Sequence, residues 1–560
     1  MLTRREFLQI TAAASALGLT GRPPSVLAAG GPITQADLLA FKPLGQVTLL
    51  NFTDIHAQLV PLFYREPDTN LGVGDDRGRP PHLTGAALLK YFGLPISALD
   101  AYAFTHRDFV RLAREYGRIG GLARLATLIN AIRAERPHRT LLIDNGDTWQ
   151  GSYTSLRTRG ADMVQAMNAL GVDAMTAHWE FTYGAERVRE LIGQLQYPFL
   201  AGNVRDIEWE EPVFESTAWF QRGGLGIAVI GQAFPYTPVA NPRHLIPEWT
   251  FGIRRIALQK TVDAARGEGA DLVVLSSHNG FDVDHKLAGL VRGIDVILTG
   301  HTHDAIPAVI TVGDTLLVAA GSHGKFLARL DLDVANRRIR DYRFRLIPVL
   351  SDAITPDPTM DALVTRLRAP YQKDLDTVLG RAESLLYRRG NFNGTFDDLI
   401  CRAILEERDT QIALSPGFRW GGALLPGQAI RLEDVYNQTA ITYPNCYRLE
   451  MTGEGLKAVL EDVADNLFNV DPFYRQGGDM VRVGGLGYAI DITRPRGERI
   501  RNMVLWPRNT PIDPAKNYVV GGWASVNPDT QGPPIQHVIR DYLRRHPNVR
   551  MTGQRAVRLL

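Results

Sequence analysis

Five times between residues 45 and 350, a short apolar run gives way at once to a polar cluster that contains aspartate, histidine or both. The runs are residues 47–52, 141–143, 272–275, 296–298 and 316–318. Short apolar runs bounded by glycine and polar residues predict buried strands. The intervening residues 122–133, 185–195 and 255–266 have helical patterns. This alternation predicts an α/β domain over residues 45–350, with its functional side chains at the carboxyl ends of the strands.

The rest of the chain predicts further parts, because 560 residues are too many for one hydrophobic core. An apolar share of 45 % and a charged share of 22 % are ordinary for a folded soluble protein. Residues 351–388 predict a linker helix, which Pro370 should kink or divide. Residues 389–560 alternate short helices with β-like runs at 447–451, 500–506 and 518–522, and they predict a smaller α+β domain.

Residues 65–118 interrupt the α/β pattern. A polar stretch rich in glycine and proline, residues 72–81, is followed by an ambiguous helical stretch. We interpret this segment as an insertion that lies over the functional site, with a disordered surface excursion as the alternative.

Residues 1–29 have the three parts of an export signal. Arg4 and Arg5 give a charged start, residues 9–20 form a mildly apolar middle too short to span a bilayer, and Ala28-Ala29 is a small-residue end. The paired arginines resemble a twin-arginine signal, which exports folded proteins; a Sec-type signal is the alternative. We therefore expect a periplasmic protein with no membrane segment.

Charge and cysteine content exclude several classes of protein. Once the three arginines and one glutamate of residues 1–29 are removed, 59 basic and 59 acidic residues remain. Nucleic-acid binding depends on clustered basic residues, so this balance argues against it. Two cysteines, Cys401 and Cys446, are too few for a disulfide scaffold or a thiolate metal cluster. They could pair in an oxidising compartment or remain free buried thiols.

Seven residues at the predicted strand ends or in nearby loops carry atoms that bind metal ions: Asp54, His56, Asp147, His178, His278, His301 and His303. In an extended segment, the first and third side chains of Asp-x-His and of His-x-His point to the same face. Each such pair could therefore bind one metal ion. Carboxylate and imidazole without thiolate suit manganese, iron or zinc better than magnesium or calcium. Two metal ions about 3.5–4 Å apart need a shared carboxylate. Asp147 is the natural bridge, because Gly146 lets the backbone approach closely.

Taken together, these residues resemble the dinuclear metallophosphoesterases and, within them, the 5′-nucleotidases. The motifs are Asp54-Ile55-His56, Gly146-Asp147, Glu180-Phe181, His278 and Gly300-His301-Thr302-His303. The resemblance implies a two-sheet αββα sandwich, followed by a smaller α+β domain that contacts substrate across a cleft. It also implies two divalent metal ions, for which we expect manganese first and zinc or iron as alternatives.

The resemblance implies a ligand set for each metal ion. One ion takes Asp54, His56, Asp147 and His303, and the other takes Asp147, His178, His278 and His301. Asp147 and His178 are accordingly the residues expected at the catalytic centre.

The chain departs from the 5′-nucleotidases at one motif. Where that family has Gly-Asn-His-Glu-Phe-Asp, this chain has Ala177-His178-Trp179-Glu180-Phe181-Thr182. His178 stands at the position of an Asn ligand, and His303 at that of a common Gln ligand. Trp179 replaces the His that assists the leaving group, and Thr182 replaces the Asp that orients that His. Either the enzyme is impaired, or its leaving group needs no proton.

The altered motif, residues 51–59 and residues 476–480 are similar to the SoxB family of thiosulfohydrolases. This resemblance implies hydrolysis of a sulfonate that is attached through sulfur to a cysteine of a Sox carrier protein. The products would be sulfate and a carrier persulfide, which is an easily released anion. The expected partner is that carrier protein, with no nucleic acid and no membrane, and the enzyme itself is expected to be a monomer.

Two residues are expected to contact the substrate. Arg419, within Gly417-Phe418-Arg419-Trp420-Gly421-Gly422, matches the place where 5′-nucleotidases set a substrate-binding arginine. A planar cation suits a tetrahedral oxyanion; a surface arginine in a turn is the alternative. Trp179 would form an apolar wall of the cleft, or else be a core tryptophan.

Two other functions stay open at this point. The first is a 5′-nucleotidase or another periplasmic phosphoesterase, which would hydrolyse nucleotides. The second is an exported, non-catalytic binder of metal ions or anions, whose metal coordination would be closed.

Overall fold

The computed structural model describes residues 33–94, 98–553 and 556–560. The expected export signal, residues 1–29, lies outside the described residues.

Two β-sheets form the first part of the chain, as the family resemblance implies. One sheet has the strand order β13-β12-β1-β2-β3 and the other has the order β10-β11-β9-β8-β6-β5. The strands of these two sheets and of the small β4–β7 pair are β1 Val47–Phe52, β2 Thr140–Asp144, β3 Ala174–Met175, β4 Arg205–Asp206, β5 Thr217–Arg222, β6 Leu225–Gln232, β7 Trp249–Thr250, β8 Leu272–Ser277, β9 Val296–Thr299, β10 Ile310–Val312, β11 Thr315–Ala319, β12 Phe326–Ala335 and β13 Arg338–Pro348.

Helices cover the sheets and connect their strands. Their bounds are Gln35–Leu39, Gly85–Tyr91, Ala98–Phe104, Phe109–Tyr116, Leu122–Glu135, Tyr153–Thr158, Ala161–Leu170, Ala185–Ile192, Thr237–Ala240, Arg255–Gly267, Phe281–Ala288 and Pro358–Arg368. None of the helices in the described residues is long and apolar enough to cross a membrane.

The central strands of the second sheet, β6, β8, β9 and β11, are buried on both faces, which explains why they are largely continuous apolar runs. In β6, Ile227 and Val229 pack in the core that also contains β1 and β2 of the first sheet. Ala228 and Ile230, which alternate with them, pack instead against Val262 of the helix Arg255–Gly267. Because strand side chains alternate between faces, this arrangement is a helix–sheet–sheet–helix sandwich, and the predicted fold class is confirmed.

The carboxyl ends of parallel strands from both sheets meet at one edge of the sandwich. Strands β1, β2 and β3 run parallel to one another. In the other sheet, β8 runs parallel to β9, and β9 runs parallel to β11. The polar clusters identified in the sequence follow these strands directly, so the fold brings them together.

The predicted linker helix over residues 351–388 is only partly correct. The helix Pro358–Arg368 ends before Pro370, and a short helix, Gln372–Leu375, follows it. From Val378 the chain is instead a strand, Val378–Ala382, which pairs with two others. The apolar residues there look helical by spacing, but strand pairing in the second domain determines their conformation.

The C-terminal part is an α+β domain with its own apolar cores. Its strands are β14 Val378–Ala382, β15 Ile412–Ser415, β16 Ala429–Arg431, β17 Cys446–Thr452, β18 Arg482–Gly484, β19 Leu486–Ile490, β20 Ile500–Leu505, β21 Thr510–Pro511, β22 Asn517–Trp523, β23 Asn548–Val549 and β24 Val557–Leu559. Its helices are Thr395–Glu407, Leu432–Thr439, Gly453–Phe468 and Ile535–Arg545. Cys401 and Cys446 are both buried free thiols, so they do not pair.

The insertion, residues 65–118, is folded over its described residues 65–94 and 98–118. Leu89, Tyr102 and Leu112 belong to the core of the first domain. Val73, near the start of the insertion, belongs instead to a core of the C-terminal domain. The insertion therefore packs against both domains, and the alternative of a disordered surface excursion does not hold for these residues.

We expect Leu89→Ala to destabilise the protein by about 2–5 kcal/mol, because it leaves a cavity at a side chain that is 1 % exposed. The adjacent exposed residue of the same helix, Lys90, provides the control, and Lys90→Ala should change stability by less than about 0.5 kcal/mol. The measurement is the urea midpoint of unfolding for each variant. Equal midpoints would show that the insertion is not part of the core.

Candidate metal centre

Two clusters of metal-binding side chains lie side by side at the edge where the strands end. Asp54, His56, Asp147 and His303 form the first cluster, and Asp147, His178, His278 and His301 form the second. Within each cluster, one donor atom from every residue lies within 4.8 Å of the others. The structure thus brings together all seven residues identified in the sequence, and Asp147 belongs to both clusters.

The local backbone at these residues differs from the extended conformation inferred from Asp-x-His and His-x-His. Asp54, His56, Asp147, His301 and His303 all have φ between 49° and 74°, in the left-handed region. This conformation is costly for residues other than glycine, and it concentrates at functional sites. The chain turns sharply after each strand, and that turn aims the side chains into the site.

The two histidines of the His-x-His motif also separate. His303 joins the first cluster and His301 joins the second. The inference that each such pair grips one metal ion is therefore wrong for His301 and His303, and right for Asp54 and His56. The division agrees with the ligand sets that the family resemblance implies.

Main-chain hydrogen bonds hold the ligand loops against each other. The amide of Asp54 donates to the Gly146 carbonyl at 2.9 Å, and the amide of His56 donates to the Asp147 carbonyl at 2.8 Å. Gly146 has φ +88°, and a Cβ atom there would lie 2.7 Å from the Thr176 carbonyl oxygen. The loops after β1, β2 and β3 are thus packed too tightly for a side chain at this position.

Asp147 occupies the middle of the centre. Its Oδ2 lies 3.0 Å from His278 Nε2, 3.2 Å from His178 Nδ1 and 3.8 Å from His56 Nε2. In the first cluster, His303 Nε2 lies 3.1 Å from Asp54 Oδ1 and 3.0 Å from His56 Nε2. A single carboxylate oxygen therefore faces donors of both clusters, as a bridging ligand must.

The imidazole groups are suited to bind metal ions. Burial lowers the pKa of His56 to about 4, and it lowers the pKa values of His301 and His303 well below the ordinary value. These rings are neutral, so each keeps a nitrogen lone pair. His301 Nε2 donates to the Gln476 carbonyl at 2.8 Å, which leaves its buried Nδ1 with no hydrogen-bond partner among the described residues.

The carboxylates also fit a bound cation. Burial raises the pKa of Asp54 well above its ordinary value, and the nearby Asp147 charge raises it further. For His278, burial alone would lower the pKa, but Asp147 and Asp54 outweigh it and raise the pKa to about 10. A proton on His278 thus partly compensates two buried carboxylates, a role that metal ions would take over. The residues fit a dinuclear metal site.

Glu180 has a positioning role that its place in the sequence motif did not reveal. Its buried carboxylate accepts hydrogen bonds from the amides of Asp147, Thr148, Trp149 and His178 at 2.6–3.3 Å. Burial raises the pKa of this carboxyl group. Glu180 fixes the Asp147 and His178 loops together.

His323 is a second residue that the sequence reasoning did not assign. It follows β11, and its Nε2 accepts a hydrogen bond from the Gly421 amide of the C-terminal domain at 3.0 Å. Its ring centroid lies 5.3 Å from that of His56 and 5.7 Å from that of His303. The sequence did contain a signal for His323, because it lies in Gly321-Ser322-His323-Gly324, one of the polar clusters that follow the apolar runs.

A cavity of about 220 Å³ opens beside the two clusters, between the domains. Besides the ligands, its lining residues include Trp179, Phe234, Val239, Ala240, Phe418, Arg419, Trp420, Val463, Leu467, Gln476, Gly477, Gly478 and Asp479. The Trp179 ring meets Phe418 and Trp420 edge-on, with centroids 5.4 and 5.1 Å away. Trp179 is therefore both buried and part of the cavity wall.

Arg419 lies on the cavity wall but already has partners. One terminal nitrogen donates to the Thr302 carbonyl at 2.9 Å, and the other donates to the Gly478 carbonyl. Its Nε lies 3.4 Å from Asp479 Oδ1 and makes no hydrogen bond among the described residues. The guanidinium group thus joins the loop between His301 and His303 to the C-terminal domain.

We expect Asp147→Ala to lose both metal ions, because its carboxylate belongs to both clusters. His301→Ala should lose one ion only. Elemental analysis of protein passed through gel filtration with divalent metal tests this, and Asp331→Ala, which removes another fully buried carboxylate, is the control. Two ions per chain in Asp147→Ala would refute the shared ligand.

Comparisons with known proteins agree with this architecture. Residues 378–526 match the family of the 5′-nucleotidase C-terminal domain. The bovine 5′-nucleotidase is 25 % identical over 434 residues, which cover 68 % of this chain and 72 % of that protein. The crystal structure of a 5′-nucleotidase precursor from Thermus thermophilus has a TM-score of 0.72 at 22 % identity, covers 92 % of this chain and 99 % of its own, and shows the shared fold.

A higher similarity is found to the structure of a sulfate thiohydrolase, SoxB, from Thermus thermophilus in complex with glycerol. The identity is 39 % and the TM-score 0.90, and the match covers 93 % of this chain and 98 % of that one. Because this identity extends over nearly the whole of both chains, the chain belongs to the SoxB family, within the 5′-nucleotidase superfamily of metallophosphoesterases.

Proposed function

We propose that the protein is a metal-dependent thiosulfohydrolase, which releases sulfate from a sulfonate linked through sulfur to a cysteine of a Sox carrier protein. Water attacks the sulfonate sulfur, a sulfur–oxygen bond forms, the sulfur–sulfur bond to that sulfonate breaks, and the two protons of the water pass to solvent. The electron pair of the broken bond leaves with the carrier as a persulfide. The 39 % identity to a sulfate thiohydrolase supports this substrate class.

The observation that carries the proposal is that Trp179 and Thr182 occupy the two positions where 5′-nucleotidases have their general-acid histidine and its aspartate partner. Trp179, which stands where 5′-nucleotidases have their general-acid histidine, packs against Phe418 and Trp420. The hydroxyl of Thr182, which replaces the aspartate partner, lies 2.7 Å from the Thr442 hydroxyl. An alkoxide leaving group needs a general acid, worth about 10²–10⁴-fold in rate, whereas a persulfide leaves as a stable anion.

The remaining acid on the cavity wall is also engaged. Asp479 pairs with Arg482 at 2.8 Å and faces Arg419 at 3.4 Å. Both oxygens of this carboxylate thus face a cation inside the C-terminal domain.

The size and lining of the cavity favour a tethered substrate over a nucleotide. Its volume of about 220 Å³ is below the roughly 300–1,000 Å³ of pockets that hold drug-sized ligands. Aromatic and aliphatic side chains supply much of the wall. A flexible arm of small residues that ends in a sulfonate fits such a space.

Each part of the site has a distinct task in this reaction. Two divalent ions, when bound, would lower the pKa of water and neutralise the charge of the sulfonate. Glu180 and the left-handed loops hold Asp147 and His178 in place, and Trp179 keeps bulk water from the leaving sulfur. Arg419 lies on the cavity wall and adds a positive charge beside the anion.

We also propose the cellular setting and the metal. The arginine pair and the apolar stretch of residues 1–29 support export to the periplasm by a twin-arginine route. Loading before export is compatible with manganese, with zinc or iron as alternatives. The partner in this setting is the carrier, which meets a monomeric enzyme.

We expect the metal-loaded enzyme to release sulfate from the sulfonated carrier and to hydrolyse AMP poorly. The reason is that the carrier persulfide needs no general acid, whereas the nucleoside alkoxide does. Ion chromatography measures sulfate and phosphate from the same enzyme preparation. Rapid AMP hydrolysis with little sulfate release would make the protein a 5′-nucleotidase.

Arg419→Ala should lower kcat/KM for the sulfonated carrier by roughly 10- to 150-fold, which corresponds to about 1.5–3 kcal/mol for a charge-assisted contact. Elemental analysis should still find two metal ions, because Arg419 is not a ligand. Binding of the carrier without its sulfonate is the matched comparison and should be unaffected. If the substitution weakens both forms of the carrier equally, Arg419 does not recognise the anion.

A further inference from the structure

Residues 476–479 of the C-terminal domain form one wall of the metal cavity, and the same loop touches a ligand. The carbonyl of Gln476 accepts the hydrogen bond from His301 Nε2 at 2.8 Å. Gly477 follows with φ +78°, and a Cβ atom there would lie 2.6 Å from His301 Nε2. The backbone of this loop thus rests directly on the His301 ring.

This contact sets the orientation and tautomer of His301. A carbonyl can only accept, so the Nε2 of His301 must carry the proton and its Nδ1 must keep the lone pair. A histidine that binds metal is oriented in this way by a partner on its other nitrogen. His278 and His56 use carbonyls of the first domain for the same purpose, those of Asn145 and Gln150. His301, in contrast, depends on the second domain.

Arg475 holds the loop in position. Its side chain is 5 % exposed, and its Nη1 lies 2.6 Å from Asp76 Oδ2 and 2.6 Å from Asp282 Oδ2. Asp76 belongs to the insertion, and Asp282 belongs to the helix Phe281–Ala288 of the first domain. One guanidinium group therefore joins the C-terminal domain to two other parts of the chain, at the residue next to Gln476.

His82 completes this network from the insertion. Its Nε2 lies 3.1 Å from both carboxylate oxygens of Asp282. The side chains of His82 and Asp282 are 11 % and 15 % exposed, so solvent screens their interaction only weakly. Since both Asp76 and His82 lie within residues 65–118, the insertion contributes two of the four side chains of the network.

We propose that Arg475 is a positioning residue for the metal centre, and that the insertion acts on the centre through Asp76. The ion pairs of Arg475 fix the Gln476 carbonyl, which fixes the ring of His301. The inference rests on the proposed two-metal centre, and it adds that one of the ligands is oriented from outside the first domain.

The test is a calorimetric titration of metal-free protein with Mn²⁺. Wild type should bind two ions. Arg475→Met and Asp76→Asn should weaken binding at one site by about tenfold or more and leave the other site unchanged, since partners of ligating histidines typically contribute 10–100-fold in metal affinity. Arg475→Lys, which keeps the charge, should restore part of the loss.

Asp465→Asn is the matched control. Asp465 is 25 % exposed and lies 2.7 Å from Arg499, itself 4 % exposed; the corresponding exposures are 26 % for Asp76 and 5 % for Arg475. Among the described residues, however, the polar contacts of Arg499 lie within its own domain, to Asp465 and the Phe468 carbonyl. Asp465→Asn should therefore bind both ions with wild-type affinity.

Wild-type affinity at both sites in Asp76→Asn and Arg475→Met would overturn the proposal, as would an equal loss in Asp465→Asn. These outcomes are separate from the choice of substrate. If the variants lose affinity as expected while wild type hydrolyses AMP rather than the sulfonated carrier, the positioning role stands and the thiosulfohydrolase proposal fails. Failure of wild type to bind two ions would refute both.

Discussion

The carboxylate of Asp147 belongs to both clusters of metal-binding side chains, so both depend on it. It is buried, it faces histidines of both clusters, and its own loop is held by the carboxylate of Glu180. Two buried carboxylates, Asp54 and Asp147, cannot remain charged side by side without cations. The strained left-handed loops that carry them are thus stabilised by whatever cations the site binds. This requirement links the fold of the sandwich edge to metal binding and explains why functional groups from six strand ends converge there.

The second domain takes part in this centre rather than only covering it. His323 accepts from the Gly421 amide, Arg419 donates to the carbonyl between the two histidines of the His-x-His motif, and Gln476 accepts from His301. Trp179 packs on Phe418 and Trp420 across the same boundary. The residue that stands in place of the general-acid histidine of the 5′-nucleotidases therefore also packs the two domains together.

The sequence predicted an α/β domain followed by an α+β domain because strand periodicity and strand-end chemistry are local signals, whereas the two-sheet sandwich and the two ligand sets came from the family resemblance. Strand periodicity predicted the apolar runs of β1, β8, β9 and β22. The polar clusters at strand ends and in nearby loops identified all seven candidate metal-binding residues. Other features depend on contacts distant in sequence. Loops that meet only in the folded protein set three such features. These are the left-handed φ at Asp54 and His303, the four amides around Glu180, and the hydrogen bond from the Gly421 amide to His323. Val378 likewise lies in a segment whose apolar spacing is helical, and only its pairing with Arg431 makes it part of a strand.

The central claim is that water attacks a sulfonate sulfur and that a persulfide leaves without a general acid. The most direct measurement is turnover of the sulfonated carrier in water enriched in oxygen-18, with mass spectrometry of both products. The account predicts one labelled oxygen in each released sulfate and a persulfide on the carrier cysteine. Release of thiosulfate with a sulfenic acid on the carrier cysteine, or sulfate without the label, would contradict it.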